Sequence, residues 1–294
     1  MIKKIAATVL LVLVIAGSIA AITQTRSTDN GKKLKVAASY YPLYDFAKQV
    51  AGDKADIQNL TPVGTEPHDY EPSPSILISA ERSDVFIYNG GHMEPWAQKF
   101  LADYDHTAVK ASQGISLKAG QDPHFWLDPV LAQKTVDSIR DGLSKADPSN
   151  KAYYAQNAED YNKKLATLDN AYRTGLASCQ QHTVISSHEA FSYLADRYGF
   201  TVESIAGISP EEEPSISRLA MLSNLVKTSG IHYVFFESLV SPRLADTIAQ
   251  ETGAKTLVFD PIEGLSETDQ KLGKNYTGIQ YENLANLQKA LACS

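Results

Sequence analysis

Cysteine is nearly absent from this chain: Cys179 and Cys293 are the two among 294 residues. That is too few for a disulfide-stapled fold, and without a Cys-x-x-Cys spacing it excludes a thiolate metal site. No cysteine stands near the N-terminal apolar segment, so a lipid-modified cysteine anchor is excluded there as well. Positive charge is also in short supply. Lys and Arg number 27 against 34 Asp and Glu, a net −7. That is the wrong balance for a protein that must neutralise phosphates, and it argues against a nucleic-acid partner. Apolar material is abundant: 43% of residues are hydrophobic and 21% charged, which excludes a disordered or collagen-like chain. The length corresponds to roughly two domains.

The net charge hides a polarity. Residues 1–33 carry five basic residues and one acid, a surplus of four, so the remaining 261 residues carry −11. Lys3 and Lys4 precede an uncharged run from Ile5 to Ile22, interrupted by Thr8, Gly17 and Ser18. A basic start, an apolar stretch and then small residues make an export signal, with Ser18-Ile19-Ala20 resembling a cleavage site. Eighteen residues rising 1.5 Å each would reach about 27 Å, so an uncleaved membrane anchor is the alternative. The polar stretch 23–33 is a tether. In an oxidising compartment Cys179 and Cys293 are candidates to pair, although the sequence alone does not bring them together.

Beyond the leader, short β-type runs at 34–39, 57–61 and 85–88 alternate with helical patterns at 42–50 and 75–82, and Val109 and 115–117 offer further short strands. Such alternation implies βαβ units and a parallel sheet. Asp147-Pro148 supplies an N-cap and a first-turn proline. The stretch from there to about Ala177 carries Tyr154, Tyr161, Leu165, Leu168 and Tyr172 at helical spacing. It predicts a single helix of about 40 Å. The β/α alternation then resumes: strands at 183–186, 201–205, 233–236 and 256–259, helices at 190–198, 215–228, 242–253 and 281–291. The expected architecture is α/β: two lobes of parallel-sheet βα units joined by one long rigid helix. The boundaries fall at 1–33 for the leader, 34–147 for the first lobe, 148–178 for the linking helix and 179–294 for the second lobe. Ligands of such sheets sit beyond the carboxyl ends of the strands, which makes the interlobe cleft the expected site.

Three histidines stand in loops of this kind. His68 lies in Glu66-Pro67-His68-Asp69, His124 in Asp122-Pro123-His124-Phe125-Trp126, and His188 directly after the strand 183–186. Asp260 closes the strand 256–259. Three imidazoles and a carboxylate make a nitrogen–oxygen donor set that suits zinc, with manganese as the alternative. Asp69, Asp122, Glu66 and Glu189 are candidates to orient imidazole N–H groups. Glu237, at the end of strand 233–236, is a supporting group and the reserve ligand. The separations of 56, 64 and 72 residues follow no local metal-binding rule, so the argument rests on shared location. Other readings remain open at this level: an exported zinc hydrolase with Glu189 or Asp260 as general base, or a binder of an organic ligand with structural histidines. His92, His106, His182 and His232 are assigned to ordinary surface or structural roles.

Taken together, the segments 66–74, 122–129, 186–191 and 259–264 resemble the metal-specific solute-binding proteins of bacterial ABC importers, the zinc/manganese class called cluster A-I. Asn89-Gly90-Gly91 with Glu94-Pro95-Trp96, Asp147-Pro148 with Tyr154, and Tyr281-Glu282-Asn283-Leu284 extend the resemblance over nearly the whole exported body. The resemblance implies two α/β lobes bridged by a rigid helix. It implies metal ligands at His68, His124, His188 and Asp260, no enzymatic activity, and a monomeric carrier that hands a divalent metal ion to a membrane permease. Histidine rather than glutamate at position 188 implies zinc over manganese. The chain departs from many zinc-type members in one respect. Residues 103–121 hold His106 alone and no His-rich metal-collecting loop.

Overall fold

The computed structural model describes residues 33–118 and 121–294. The leader, its cleavage site and its tether fall almost wholly outside them. Among the described residues no helix is long and apolar enough to cross a membrane.

Residues 34–294 hold two four-stranded sheets, parallel throughout. The first contains β1 (Leu34–Ala38), β2 (Ala55–Asn59), β3 (Val85–Tyr88) and β4 (Thr107–Lys110), in the order β2-β1-β3-β4. The second contains β5 (Thr183–Ser186), β6 (Thr201–Ser204), β7 (Tyr233–Phe236) and β8 (Lys255–Val258), in the order β6-β5-β7-β8. The two orders are the same once the strands are counted within each lobe. Each sheet therefore reverses direction beside its first strand, and that reversal opens a crevice at the carboxyl ends.

The helices of the first lobe are α1 (Tyr41–Ala51), α2 (Pro74–Glu81), α3 (Pro95–Ala102) and α4 (Pro129–Ala146). α3 and α4 are not among the helices that the residue pattern predicts. Yet α4 opens on Asp128-Pro129, and the Asp128 carboxylate accepts from Val130 N–H at 2.8 Å, an N-cap followed by a first-turn proline. Its inner face is Ala132, Val136, Ile139 and Leu143, all fully buried. No strand forms at 115–117, because Ile115 N–H turns back to Ser112 C=O at 3.0 Å.

A 3₁₀ turn (Pro148–Asn150) leads into the long helix α5 (Lys151–Gly175) of 25 residues, about 37 Å at 1.5 Å per residue. Asp147 does not cap through backbone N–H groups. Its carboxylate instead accepts from the side chains of Asn150 and Tyr154 at 2.6 and 2.7 Å. Tyr154, Ala158, Tyr161, Leu165, Leu168 and Tyr172 are buried along one face, against α1 and α4 and against the last helix of the chain.

The second lobe adds α6 (Ser192–Tyr198), α7 (Ile216–Ser229), α8 (Arg243–Thr252), α9 (Glu267–Lys271) and α10 (Tyr276–Ala290). The last starts five residues earlier than the apolar spacing indicates, because Asn275 accepts from Gly278 N–H at 2.9 Å and caps it there. Tyr276 meets Phe46 of α1 at 4.7 Å between ring centroids, and Tyr172 of α5 donates to Gln280 Oε1 at 2.7 Å. One hydrophobic cluster consequently runs without a break from β1 to Leu291 through both lobes. Cys179, just past α5, is disulfide-bonded to Cys293, just past α10. The two helices are thus joined at the ends where the chain leaves them.

Candidate metal centre

The carboxyl ends of both sheets face a common point. His68 comes from the loop after β2, His124 from the loop after β4, and His188 from the turn after β5. The fourth donor is Glu263, from the loop after β8, and these four form the metal-type cluster among the described residues. β4 and β8 occupy equivalent edges of their sheets, so His124 and Glu263 are counterparts in the two lobes.

The donor atoms are His68 Nε2, His124 Nε2, His188 Nε2 and Glu263 Oε1. His68 and His188 lie 3.1 and 3.2 Å from His124. Glu263 Oε1 lies 3.2, 3.1 and 3.3 Å from His68, His124 and His188. Four ligands arranged tetrahedrally around zinc at roughly 2.0–2.1 Å are separated by about 3.3–3.4 Å. The pocket is dry: side-chain exposure is 5% for His68, 1% for Glu263 and 0% for the other two. Access is therefore on the His68 side.

Carboxylates behind the rings fix which nitrogens face inward. His124 Nδ1 donates to Asp122 Oδ1 at 2.8 Å, and His188 Nδ1 donates to Glu237 Oε1 at 2.8 Å. With the proton held on Nδ1, Nε2 turns its lone pair toward the centre. Lone pairs of neutral rings converging at 3.1–3.2 Å repel one another unless a cation or extra protons sit among them. The ionisation behaviour reflects this. Burial opposes a charge on His188, but Glu237 and Glu263 outweigh it and hold its pKa well above the usual value. For His124 burial is likewise outweighed, by Asp122 and Glu263. Glu263 is buried, yet the histidines around it hold it well below the usual carboxylate range. Burial and the nearby Glu263 push Glu66 up instead. The site is built to hold positive charge.

Asp260, the carboxylate expected from the sequence to be the fourth ligand, is not in the cluster. Its Oδ1 accepts from Ile262 N–H at 2.7 Å and its Oδ2 takes the Ser238 hydroxyl. Asn283 of α10 grips its backbone through both N–H and C=O, at 2.9 and 2.7 Å. Asp260 is a turn-former. It holds Ile262 at φ 58°, a left-handed conformation costly for a β-branched residue, and the reversal aims Glu263 at the three histidines. The available signal was a second acid in the same loop, three positions on. Of the supporting groups, Glu66 accepts from His68 N–H at 3.1 Å and Glu237 holds His188. Glu189 is exposed and distant in role, its N–H serving Gly207 C=O at 2.8 Å. Asp69 is exposed, as are His92, His106, His182 and His232.

Each lobe secures its loops from behind. Glu94, buried immediately before α3, accepts from Asn89 N–H, just past β3, at 2.7 Å, and the Asn89 amide donates to Pro123 C=O at 2.9 Å, next to His124. Gly91 has φ 74°, and a Cβ there would stand 2.9 Å from Gln121 C=O, so glycine lets the two loops pass. Between the lobes, Trp126 Nε1 donates to Pro261 C=O at 2.9 Å, and Gly64 N–H to Leu265 C=O at 2.9 Å.

Over residues 36–290 the chain matches the family described as ZnuA, zinc-uptake complex component A, periplasmic. It is 39% identical over 290 residues to the high-affinity zinc uptake system protein ZnuA of Bacillus subtilis, covering 92% of this chain and 91% of that protein. It is 40% identical over 278 residues to the zinc-binding lipoprotein AdcA of Streptococcus pneumoniae. That match covers 87% of this chain but 56% of the longer relative. Among solved structures, the Zn(II)-bound ZnuA-like domain of Streptococcus pneumoniae AdcA superposes with a TM-score of 0.81 at 42% identity, covering 88% of this chain and 99% of that one.

Proposed function

Because the chain belongs to the ZnuA family of zinc-uptake components, we propose that it captures a zinc ion outside the cytoplasmic membrane and delivers it to an ABC permease. His68, His124, His188 and Glu263 hold the ion. The observation that carries this reading is the size of the donor cage, with five of its six separations at 3.1–3.3 Å and all within 4.8 Å. The space admits one ion and no organic molecule. Three neutral nitrogens and one oxygen favour zinc over manganese, which takes harder, oxygen-rich sets. Four protein donors also complete a tetrahedron, whereas a catalytic zinc keeps a position for water. Glu189, the general base a hydrolase would need, is exposed and hydrogen-bonded elsewhere through its backbone. The leader carries the chain across the membrane and is either cut or kept as its anchor.

Metal analysis of the purified protein, with zinc/manganese competition on wild type and His188→Glu, tests the proposal. Wild type is expected to take up one zinc per chain with sub-micromolar affinity, and His188→Glu to shift preference toward manganese. Uptake of neither ion at that affinity overturns the function, and an unchanged preference overturns the selectivity argument.

A further inference from the structure

Asp122 is held from both lobes. Its Oδ1 accepts from His124 Nδ1 and from the His124 backbone N–H, at 2.8 and 3.0 Å. Both contacts lie within the first lobe. Its remaining acceptors face α6 of the second lobe. Ser192 Oγ donates to Oδ2, and Tyr193 Oη donates to the Asp122 carbonyl at 2.9 Å. Lys118 closes the arrangement from the first lobe's side. Its N–H donates to Tyr193 Oη at 2.9 Å, its Nζ donates to Ser192 C=O at 2.7 Å, and the same Nζ pairs with Asp196 at 2.5 Å. Ser192 and Tyr193 follow His188 by four and five residues, so the segment that brings one ligand also grips the carboxylate behind another.

We infer that this clasp couples lobe closure to the grip on the metal. Ser192, a positioning residue of the second lobe, fixes the Asp122 carboxylate that orients His124 in the first lobe. With the lobes together, Asp122 has a partner on each oxygen and cannot rotate away from His124 Nδ1. When the lobes part, Ser192 and Tyr193 leave Asp122 in the same movement, and His124 loses its fixed orientation as the cage opens. Prying the lobes apart therefore loosens a first-lobe ligand as well as separating the second-lobe pair His188 and Glu263 from it. The inference rests on the zinc-carrier reading above. It adds that release is triggered by breaking a contact that touches no ligand directly.

The test is a stopped-flow measurement of zinc release into a chromogenic chelator, with the association rate measured separately, for wild type, Ser192→Ala and Ser192→Thr in the full exported chain. Outer carboxylate partners of a metal histidine alter affinity by about 10–100-fold, and a group one step further out is expected at the low end. Ser192→Ala should speed release roughly tenfold and leave association within about twofold, because the clasp acts on the grip after capture rather than on the encounter with the ion. Ser192→Thr, which keeps the hydroxyl, should restore slow release. Alanine is well tolerated in the first turn of a helix, so the metal-free protein should still fold, its unfolding midpoint lowered only by the one hydrogen bond lost at Asp122. Release unchanged in Ser192→Ala, or no rescue by threonine, would each overturn the inference. Failure of wild type to bind zinc would instead sink the carrier reading beneath it.

Discussion

Zinc and protons compete for the same Nε2 lone pairs, so zinc affinity should be steeply pH-dependent. In the metal-free protein His188 is held well above its usual pKa, burial being outweighed by Glu237 and Glu263. His124 is raised in the same sense by Asp122 and Glu263. Whatever Nε2 proton each carries must leave when the ion arrives, while the Nδ1 protons remain on their carboxylates. Each proton displaced changes affinity tenfold per pH unit, about 1.4 kcal/mol. Displacement of both protons bounds the effect at a Kd about 100-fold weaker on going from pH 7 to pH 6, about 2.7 kcal/mol, and His188, the more strongly raised, supplies the larger share. The assay is a chelator competition titration at several pH values, paired with calorimetry in buffers of different ionisation enthalpy to count the protons released. Glu237→Gln removes the carboxylate behind His188 and should lower the number of protons released per zinc. The metal-free protein supplies the opposite sign. A histidine whose folded pKa lies above the unfolded value of about 6.5 stabilises fully below that pH, and the contribution fades as pH rises through the folded pKa. Metal-free stability should thus fall, and zinc affinity rise, as pH increases across neutrality. A release below about half a proton per zinc at pH 6.5, or a Kd changing less than about threefold between pH 6 and 7, would refute this account of the cage.

The two acids of the 259–264 loop should separate cleanly. Glu263→Gln is expected to weaken zinc binding beyond the roughly 100-fold that bounds changes behind a ligand. Asp260→Ala should mainly destabilise the metal-free fold, by roughly 1–3 kcal/mol for the lost buried hydrogen bonds. A larger affinity loss for Asp260→Ala than for Glu263→Gln would return the ligand role to Asp260. Replacing both Cys179 and Cys293 by serine frees a crosslink with a sequence separation of 114. Urea unfolding should then show a loss of roughly 2–5 kcal/mol, and unchanged stability would mean the bond is not formed in solution. In α4, a Cβ on Gly142 would stand 2.1 Å from Val109 Cγ2 of β4. Gly142→Ala should therefore cost roughly 1–3 kcal/mol, with Val109→Ala in the same chain relieving part of it.

The histidines were legible because their positions follow from local rules: a loop after a strand, stiffened by Pro67 or Pro123, or a turn directly after β5. Glu263 was not legible, because its direction depends on the left-handed Ile262. Nothing in the residue types of 259–264 marks that conformation. It is set by the Asp260 carboxylate, which is itself fixed from elsewhere by Asn283 on α10 and Ser238 after β7. Glu189 looked suitable by adjacency to His188, but successive residues in a turn point in different directions, and only Glu237 across the sheet reaches Nδ1. The long helix was plain in its tyrosine and leucine stripe. That stripe, however, is what packs it onto α1, α4 and α10, so it acts as a keel embedded in a shared core rather than a free strut. The second α/β half could be read as a repeat of the grammar of the first. The identity of strand order in the two sheets emerges only from pairing, which short apolar strands do not encode one by one.

The chain has two tryptophans, and Trp126 is placed to make the protein its own optical sensor. Its ring lies 5.2 Å from that of His124 and is fully buried, while its indole N–H reaches the other lobe at Pro261. An imidazolium quenches a neighbouring indole, and a hydrogen bond to the indole N–H shifts its emission. Loading the cage with zinc, which itself does not quench, and parting the lobes therefore leave different spectral marks on one fluorophore. Trp96, the other emitter, lies on α3 against Phe86 and Phe100 and supplies a constant background. Metal capture and lobe separation can be followed in unlabelled protein.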